Sequence, residues 1–414
     1  MAGSVAADAP RRGGWYYGWT IVGLGMLSQM AGLGLALSSF TFFLQDWHRE
    51  FGTPLSTLEL SVTVFSLVCA VFCALAGMAA DKLPARWLLA GGVALLAVLH
   101  VAVGFATAGW QIIVIFGVMG VGVTFSSNIP CQALVSRWFV RQRGMALGIS
   151  ALGINAAAVV LPPVVIWSVH SFGWRQTWEI YAGAMAVLVL PALVFGVRDR
   201  PRPGEGAAYL GAEADAPAAA AVSLKDILTR PNFWIVGAAF LCVYCASMGV
   251  GLNLGPLVKS RGLSDTTLAI LASSLGAADV VGKLGSGWLA DRFGNRLPLT
   301  LMCLIGAAGA ALIGATQGMA ALVIGLLLVG ATGAIWTLLA SATATEFGQA
   351  GFGRAFGVIC TFTPFGSLAP PVVAWAKEQT SSFSVGLYGL AGLALVGALL
   401  SLLLKERRAR PAGA

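Results

Sequence analysis

Charge is what this chain has least of. Only 10% of its 414 residues are Asp, Glu, Lys or Arg, against about 25% in a typical soluble domain. A water-facing surface cannot be covered at that density. One oversized soluble core does not rescue the composition, because the buried fraction grows only slowly with chain length. Histidine is scarcer still, with three residues. No His-rich metal cluster and no nucleophile–base arrangement is visible, so neither a metal nor a cofactor is expected and enzyme chemistry finds little support. The seven cysteines (Cys69, Cys73, Cys131, Cys242, Cys245, Cys303, Cys360) all fall inside apolar runs. That placement fits small packing residues better than disulfides or ligands.

What is abundant is apolar residues, 58% of the chain. They come in runs, and a spanning helix needs roughly 20 of them. Twelve runs are predicted, at about 17–45, 56–80, 87–107, 111–135, 144–169, 177–197, 233–258, 266–288, 298–316, 319–346, 355–375 and 383–404. The first is too long for the apolar region of a cleaved signal peptide. One segment breaks the rhythm. Residues 198–230 begin Arg198-Asp199-Arg200-Pro201-Arg202-Pro203, continue as an Ala/Gly/acidic stretch and end with Lys225, Asp226 and Arg230. This reads as a polar linker with a short surface helix after Ser223. It divides the chain into a bundle at 1–197, the linker at 198–230 and a second bundle at 231–414. The expected fold is an all-α membrane protein of twelve transmembrane helices in two six-helix halves.

The net charge of +8 does not point to nucleic acid, because the basic residues sit between apolar spans, as topology signals do. With both termini and every even-to-odd loop on one side, nineteen of the twenty-five lysines and arginines lie there. Five (Arg49, Arg175, Lys259, Arg261, Lys377) lie opposite, and Lys283 is inside a span. A miscounted helix would scramble that ratio. It implies cytoplasmic termini and, for a bacterial chain, the inner membrane as location.

The two halves repeat. Gly77-Met-Ala-Ala-Asp81-Lys82-Leu-Pro-Ala-Arg86 follows the second span, and Gly287-Trp-Leu-Ala-Asp291-Arg292-Phe-Gly294-Asn-Arg296 follows the eighth. The offset is 210 residues. Arg143-Gly-Met-Ala-Leu-Gly148 and Arg354-Ala-Phe-Gly357 open spans five and eleven at an offset of 211. Matching offsets point to parallel halves related about an axis along the membrane normal. The doubled Gly-x3-Asp-basic loop resembles the signature of the major facilitator superfamily, with Pro84 where the first copy usually has glycine. A narrower resemblance is to the monocarboxylate-porter branch. It rests on Gly13-Gly14-Trp15-Tyr16-Tyr17-Gly18-Trp19, on Arg137 to Gly148, and on Asp279-Val-Val-Gly-Lys283. That branch has arginine where this chain has Lys283, and its animal members have a helix 1 lysine where this chain has Leu37. The resemblance implies a transporter for small organic anions, monocarboxylates first, coupled to protons and working by alternating access. Its gating residues would be Gly77, Asp81, Arg86, Gly287, Asp291, Arg292 and Arg296.

Asp279 and Lys283 are the most informative pair in the sequence. They stand one turn apart on one face of a helix. A charge at mid-bilayer costs at least ~2.5–3.5 kcal/mol, so each is expected to face a cavity or the other. An ammonium suits a substrate carboxylate, and an aspartate beside it would neutralise it when empty. Proton uptake by Asp279 would then free Lys283. The plainer reading is a structural ion pair, or Lys283 reaching for the cytoplasmic face. Asn128, Asn155 and Asn253 are polar positions within spans, suited equally to substrate contact and to helix–helix bonding. Trp336 is a further candidate for the cavity wall, although packing explains it as well. Pro130, Pro162-Pro163, Pro256, Pro364 and Pro370-Pro371 predict bends or breaks.

The expected partners are a small organic anion, a proton and the lipid bilayer, with a monomer sufficient. No Walker-type loop is present, so ATP is not the expected drive. Two alternatives stand beside this reading. One is a metabolite or drug exporter of the same fold. It is disfavoured because Leu161-Pro162-Pro163 does not match the Gly-Pro signature of antiporter members. The other is a non-transporting membrane receptor.

Overall fold

The computed structural model describes residues 15–38, 40–202, 205, 223–315 and 318–405. The first half contains α1 Tyr17–Leu37, α2 Leu55–Lys82, α3 Ala85–Gly104, α4 Gly109–Trp138, α5 at 143–172 and α6 at 174–196. The second contains α7 Pro231–Leu252, α8 Asp265–Phe293, α9 Arg296–Ala315, α10 Met319–Gly348, α11 Gly351–Thr380 and α12 Ser384–Leu402. Among the described residues, eleven stretches are long and apolar enough to cross a membrane. The charged α8 completes the twelve-helix, two-half architecture. Arg11, Arg12, Arg407, Arg408 and Arg410 lie outside the described residues.

Helix ends follow local chemistry. Gly173 (φ 80) separates α5 from α6, Gly294 (φ 79) ends α8, and Gly348 (φ 64) separates α10 from α11. At the first motif loop the same task falls to Pro84, which forces Leu83 into an extended conformation (φ −99, ψ 152). Five of the described spans are interrupted, α6 by a π-helical turn at Met185–Val189 and α10 by a 3-10 turn at Thr332–Ala334. A π-helical turn, Met30–Gly34, interrupts α1 just after Gln29. Ser127 (φ −114, ψ −126) breaks α4 immediately before Asn128. In α11 the short helix Thr363–Gly366 precedes Ala369–Thr380, each with proline at its start. Pro162-Pro163 do not produce the expected break: α5 runs through them to Gly173. Proline in a membrane helix is tolerated where neighbouring helices re-satisfy the freed carbonyls.

Hydrogen bonds place the loops. Tyr16 Oη donates to Trp138 O at 2.5 Å, and Trp138 Nε1 donates to Arg198 O at 3.0 Å. Asn232 Nδ2 donates to Lys405 O at 2.9 Å. Both described ends of the chain therefore lie on the face that carries the two motif loops, here called the motif face. Within the 198–230 segment, Asp199 accepts the Ala85 amide and pairs with Arg137 at 3.6 Å. The short helix Leu224–Leu228 is capped by Ser223, whose hydroxyl accepts from the Asp226 amide at 3.1 Å. Residues 203–204 and 206–222 are outside the described set. All seven cysteines are free thiols. Trp110, Trp167 and Trp375 stand exposed, where interfacial anchors are expected.

Candidate functional site

The two halves meet on the motif face through glycine backbones. A Cβ on Gly77 would stand 1.9 Å from Gly353 O, and one on Gly144 would stand 2.4 Å from Gly287 O. Only glycine allows α2 to approach α11, and α5 to approach α8, this closely. Each motif aspartate then acts across the seam. Asp81 on α2 accepts from the amides of Gly353 (2.7 Å) and Arg354 (2.9 Å) in the first turn of α11. Asp291 on α8 accepts from the amides of Gly144 (2.7 Å) and Met145 (2.9 Å) in the first turn of α5. Those amides are orphan donors at a helix start, and a carboxylate also complements the positive end of the helix dipole. Gln142, at the N-cap of α5, is left-handed (φ 59, ψ 24) and gives no side-chain cap of its own. The cap is supplied by the other half. The arrangement is reciprocal, as the 210-residue repeat implies.

The basic motif residues do other work. Arg86 Nε donates to Val197 O at 3.0 Å, tying α3 to the end of α6. Arg292 stacks near Trp288 and Phe293, 5.4 and 5.6 Å from the ring centres. Arg354 approaches Asp81 at 3.9 Å, and Arg137 donates to Ala80 O. Arg296 opens α9 at the same face.

Further into the bilayer along the α5–α8 seam, three polar side chains meet. Lys283 Nζ donates to Asp279 Oδ2 at 2.8 Å and to Asn155 Oδ1 at 2.5 Å. Asn155 Nδ2 donates to the same Asp279 oxygen at 2.8 Å. Asn155 comes from the first half, the two charges from the second. Lys283 is only 6% exposed. Asp279 Oδ1 is buried without a hydrogen-bond partner among the described residues and lies beside Gly333 of α10. The triad thus holds one neutralised ammonium and one carboxylate oxygen with open acceptor capacity.

Other expected site residues fall elsewhere. Asn253 is buried at the end of α7, where Nδ2 donates to Gly249 O (2.9 Å) and Pro370 O (3.1 Å), fastening α7 to the broken α11. Asn128 heads the second segment of α4, half-buried. Trp336 packs edge-on to Phe240 (4.9 Å) and Tyr244 (5.6 Å) of α7, one turn beyond Gly333. The structure adds Gln29 on α1, whose Nε2 donates to Ser150 O at 2.8 Å while Oε1 has no partner among the described residues. It also adds Gln132 on α4, fully buried with both amide atoms unpaired among the described residues. Neutral amides in apolar runs give a weak signal. The π-turn after Gln29 is the sharper one, since such turns gather at functional sites.

The model of the Major Facilitator Superfamily matches residues 24–311 and 238–414. Mouse monocarboxylate transporter 12 is 24% identical over 435 residues, covering 95% of this chain and 85% of that protein. The probable sulfoacetate transporter SauU of Cupriavidus necator is 27% identical over 380 residues, 86% of each chain. The membrane sensor protein UhpC of Escherichia coli is 25% identical over 267 residues, so the match spans 61% of this chain and 60% of UhpC. Among solved structures, the E. coli fucose:proton symporter FucP superposes with a TM-score of 0.71 at 16% identity, over 95% of this chain and 100% of that one.

Proposed function

This chain belongs to the Major Facilitator Superfamily, and on that premise we propose that it is a secondary active transporter carrying small organic anions with a proton. The observation that carries the reading is the half-buried Asp279–Lys283–Asn155 triad across the seam between the halves. In the empty state Asp279 neutralises Lys283, which offsets part of the cost of a buried cation. A proton arriving at Asp279 Oδ1 cancels the carboxylate charge and releases the ammonium. The substrate anion then takes Lys283 Nζ, and Asn155 Nδ2 becomes a second donor to it. Proton and anion are favoured together, and the site stays close to neutral with both or with neither.

The triad also links binding to movement. Asn155 and Lys283 lie on opposite halves, so exchanging Asp279 for a substrate changes the attraction between α5 and α8. The reciprocal caps at Asp81 and Asp291 hold the motif face shut. Opening it breaks four N–H···O bonds, each worth roughly 1.5–3 kcal/mol as a bond to a charged group. Substrate would enter from the opposite face in this state. The lysine and arginine imbalance supports a cytoplasmic motif face and action at the cytoplasmic membrane.

Monocarboxylates come first because of the branch resemblance and the name of one relative. Lysine at 283 is a point charge rather than a planar fork, so sulfonates are accommodated as readily, in keeping with the name of another. The sensor relative favours a second reading, a receptor that binds anions without passing them. Purified protein in proteoliposomes, given labelled lactate, pyruvate, oxalate, aromatic acids, sulfoacetate and amino acids under an inward acid gradient, separates the two. The transporter reading predicts gradient-stimulated accumulation of at least one organic acid. Binding without flux across the whole panel would leave the receptor.

A further inference from the structure

Five cations lie on the face opposite the motif loops, and the two halves treat them differently. In the first half each has a carboxylate: Arg49 pairs with Asp46 at 3.3 Å, and Arg175 with Glu50 at 2.9 Å. In the second half Lys259, Arg261 and Lys377 have no carboxylate partner among the described residues, and two of them, Arg261 and Lys377, converge. Both line one cavity of about 100 Å³, between the short helix Leu254–Ser260 that follows α7 and the turn from α11 to α12. No acidic residue among the described ones lines it. Ser260, Ser382 and Ser384 also line it, their hydroxyls donating to Leu257 O, Ser384 Oγ and Gly314 O, and Phe383 supplies the wall over which Lys377 Nζ sits, 4.8 Å from the ring centre.

Arg261 is the unusual member. Its Nη2 donates to Ile313 O at 2.6 Å, at the end of α9. Its Nε and Nη1 are shielded from water and have no acceptor among the described residues. Burial draws its pKa below the ordinary value, and no carboxylate restores it. A guanidinium with two shielded, unfilled donors beside a second cation is a costly arrangement when nothing negative fills the space. Such donors match the oxygens of a tetrahedral or planar oxyanion. The cavity has room for one such group.

We infer that this cavity is a second anion site, separate from the central triad, which takes a single carboxylate, sulfonate or phosphate group between Arg261 and Lys377. It does not depend on Lys283. Its occupant is either a free oxyanion or the phosphate of an anionic lipid headgroup reaching in from the outer leaflet. The chemistry of recognition is the same for both.

The test uses purified full-length protein. One arm measures binding of labelled sulfate by equilibrium dialysis, for the unmodified protein and for Arg261→Gln, Lys377→Gln and Lys283→Gln. The other arm reconstitutes each protein in nanodiscs of phosphatidylglycerol or phosphatidylcholine and detects retained lipid by native mass spectrometry. Saturable sulfate binding that weakens at least tenfold in both Arg261→Gln and Lys377→Gln, but persists in Lys283→Gln, supports a free oxyanion. Phosphatidylglycerol retained by the unmodified protein and lost from the two peripheral variants supports a headgroup. If neither ligand distinguishes the unmodified protein from the two peripheral variants, or if sulfate binding vanishes only with Lys283→Gln, the site is overturned. The last outcome would leave the central triad as the anion's seat, so failure here is distinct from failure of the transport reading.

Discussion

Lys283→Ala is expected to abolish uptake of organic anions. Truncating one member of a buried, hydrogen-bonded charge pair typically costs about 2–5 kcal/mol. At 1.4 kcal/mol per factor of ten this is roughly 30-fold to more than 1000-fold in affinity. Removing the ammonium also strands Asp279, whose Oδ2 then keeps only Asn155 as donor. A half-buried carboxylate left without its cation destabilises a protein unless it takes up a proton, so loss of activity alone would be ambiguous. The double variant Asp279→Asn/Lys283→Gln removes both charges and keeps similar volume. It should restore thermal stability and remain inactive. Lys283→Arg should retain uptake, since a guanidinium offers the same charge in the form that the monocarboxylate branch carries. Uptake by Lys283→Ala at the unmodified rate would show that the pair is structural.

A comparable loss is expected from Gly144→Val, for a reason that has nothing to do with charge. A Cβ at Gly144 would stand 2.4 Å from Gly287 O, and a Cβ at Gly287 would stand 2.5 Å from Gly144 O. The obstacle is backbone on both sides, so no side chain can turn away. α5 and α8 would have to part by about 1 Å, which also pulls Asp291 from the amides it caps. Overpacking of this kind costs typically about 1–3 kcal/mol, and an N-cap adds about 0.5–2 kcal/mol. Together they would displace the closed motif face from its place in the cycle. Uptake should fall at least tenfold, with a lower Tm in detergent. Gly91→Ala and Gly389→Ala are the controls, because nothing lies within 4 Å of a Cβ at either position. Both should transport normally. Normal transport by Gly144→Val would mean that the α5–α8 contact is incidental to the cycle.

The fold was legible because its signals are one-dimensional. Apolar runs, the interruption at 198–230 and the basic residues of the motif loops can be counted along the chain. The breaks were less so. Proline predicts where a helix is weak, and the structure breaks α4 at Ser127, three residues before Pro130, while α5 passes through Pro162-Pro163. Neighbouring helices decide that, and they are distant in sequence. The same division holds at the site. Asp279 and Lys283 stand out as charges in an apolar helix. Asn155 is told apart from Asn253 only by what each reaches: a buried ion pair for one, two backbone carbonyls for the other. The partners of Asp81 and Asp291 are backbone amides, which carry no side-chain signature. The cavity around Arg261 and Lys377 assembles residues 116 positions apart, which no local pattern in the sequence brings together.

The central claim is that one carboxylate on α8 takes the proton that lets Lys283 bind the anion. Proteoliposomes loaded with a pH-sensitive dye report proton entry while labelled substrate entry is counted. The unmodified protein should bring in protons with the substrate. Asp279→Asn, which keeps the shape and removes the titratable group, should lose the substrate-linked proton signal while an existing anion gradient still drives exchange. Proton entry at the unmodified ratio in Asp279→Asn would place the proton elsewhere and contradict the account.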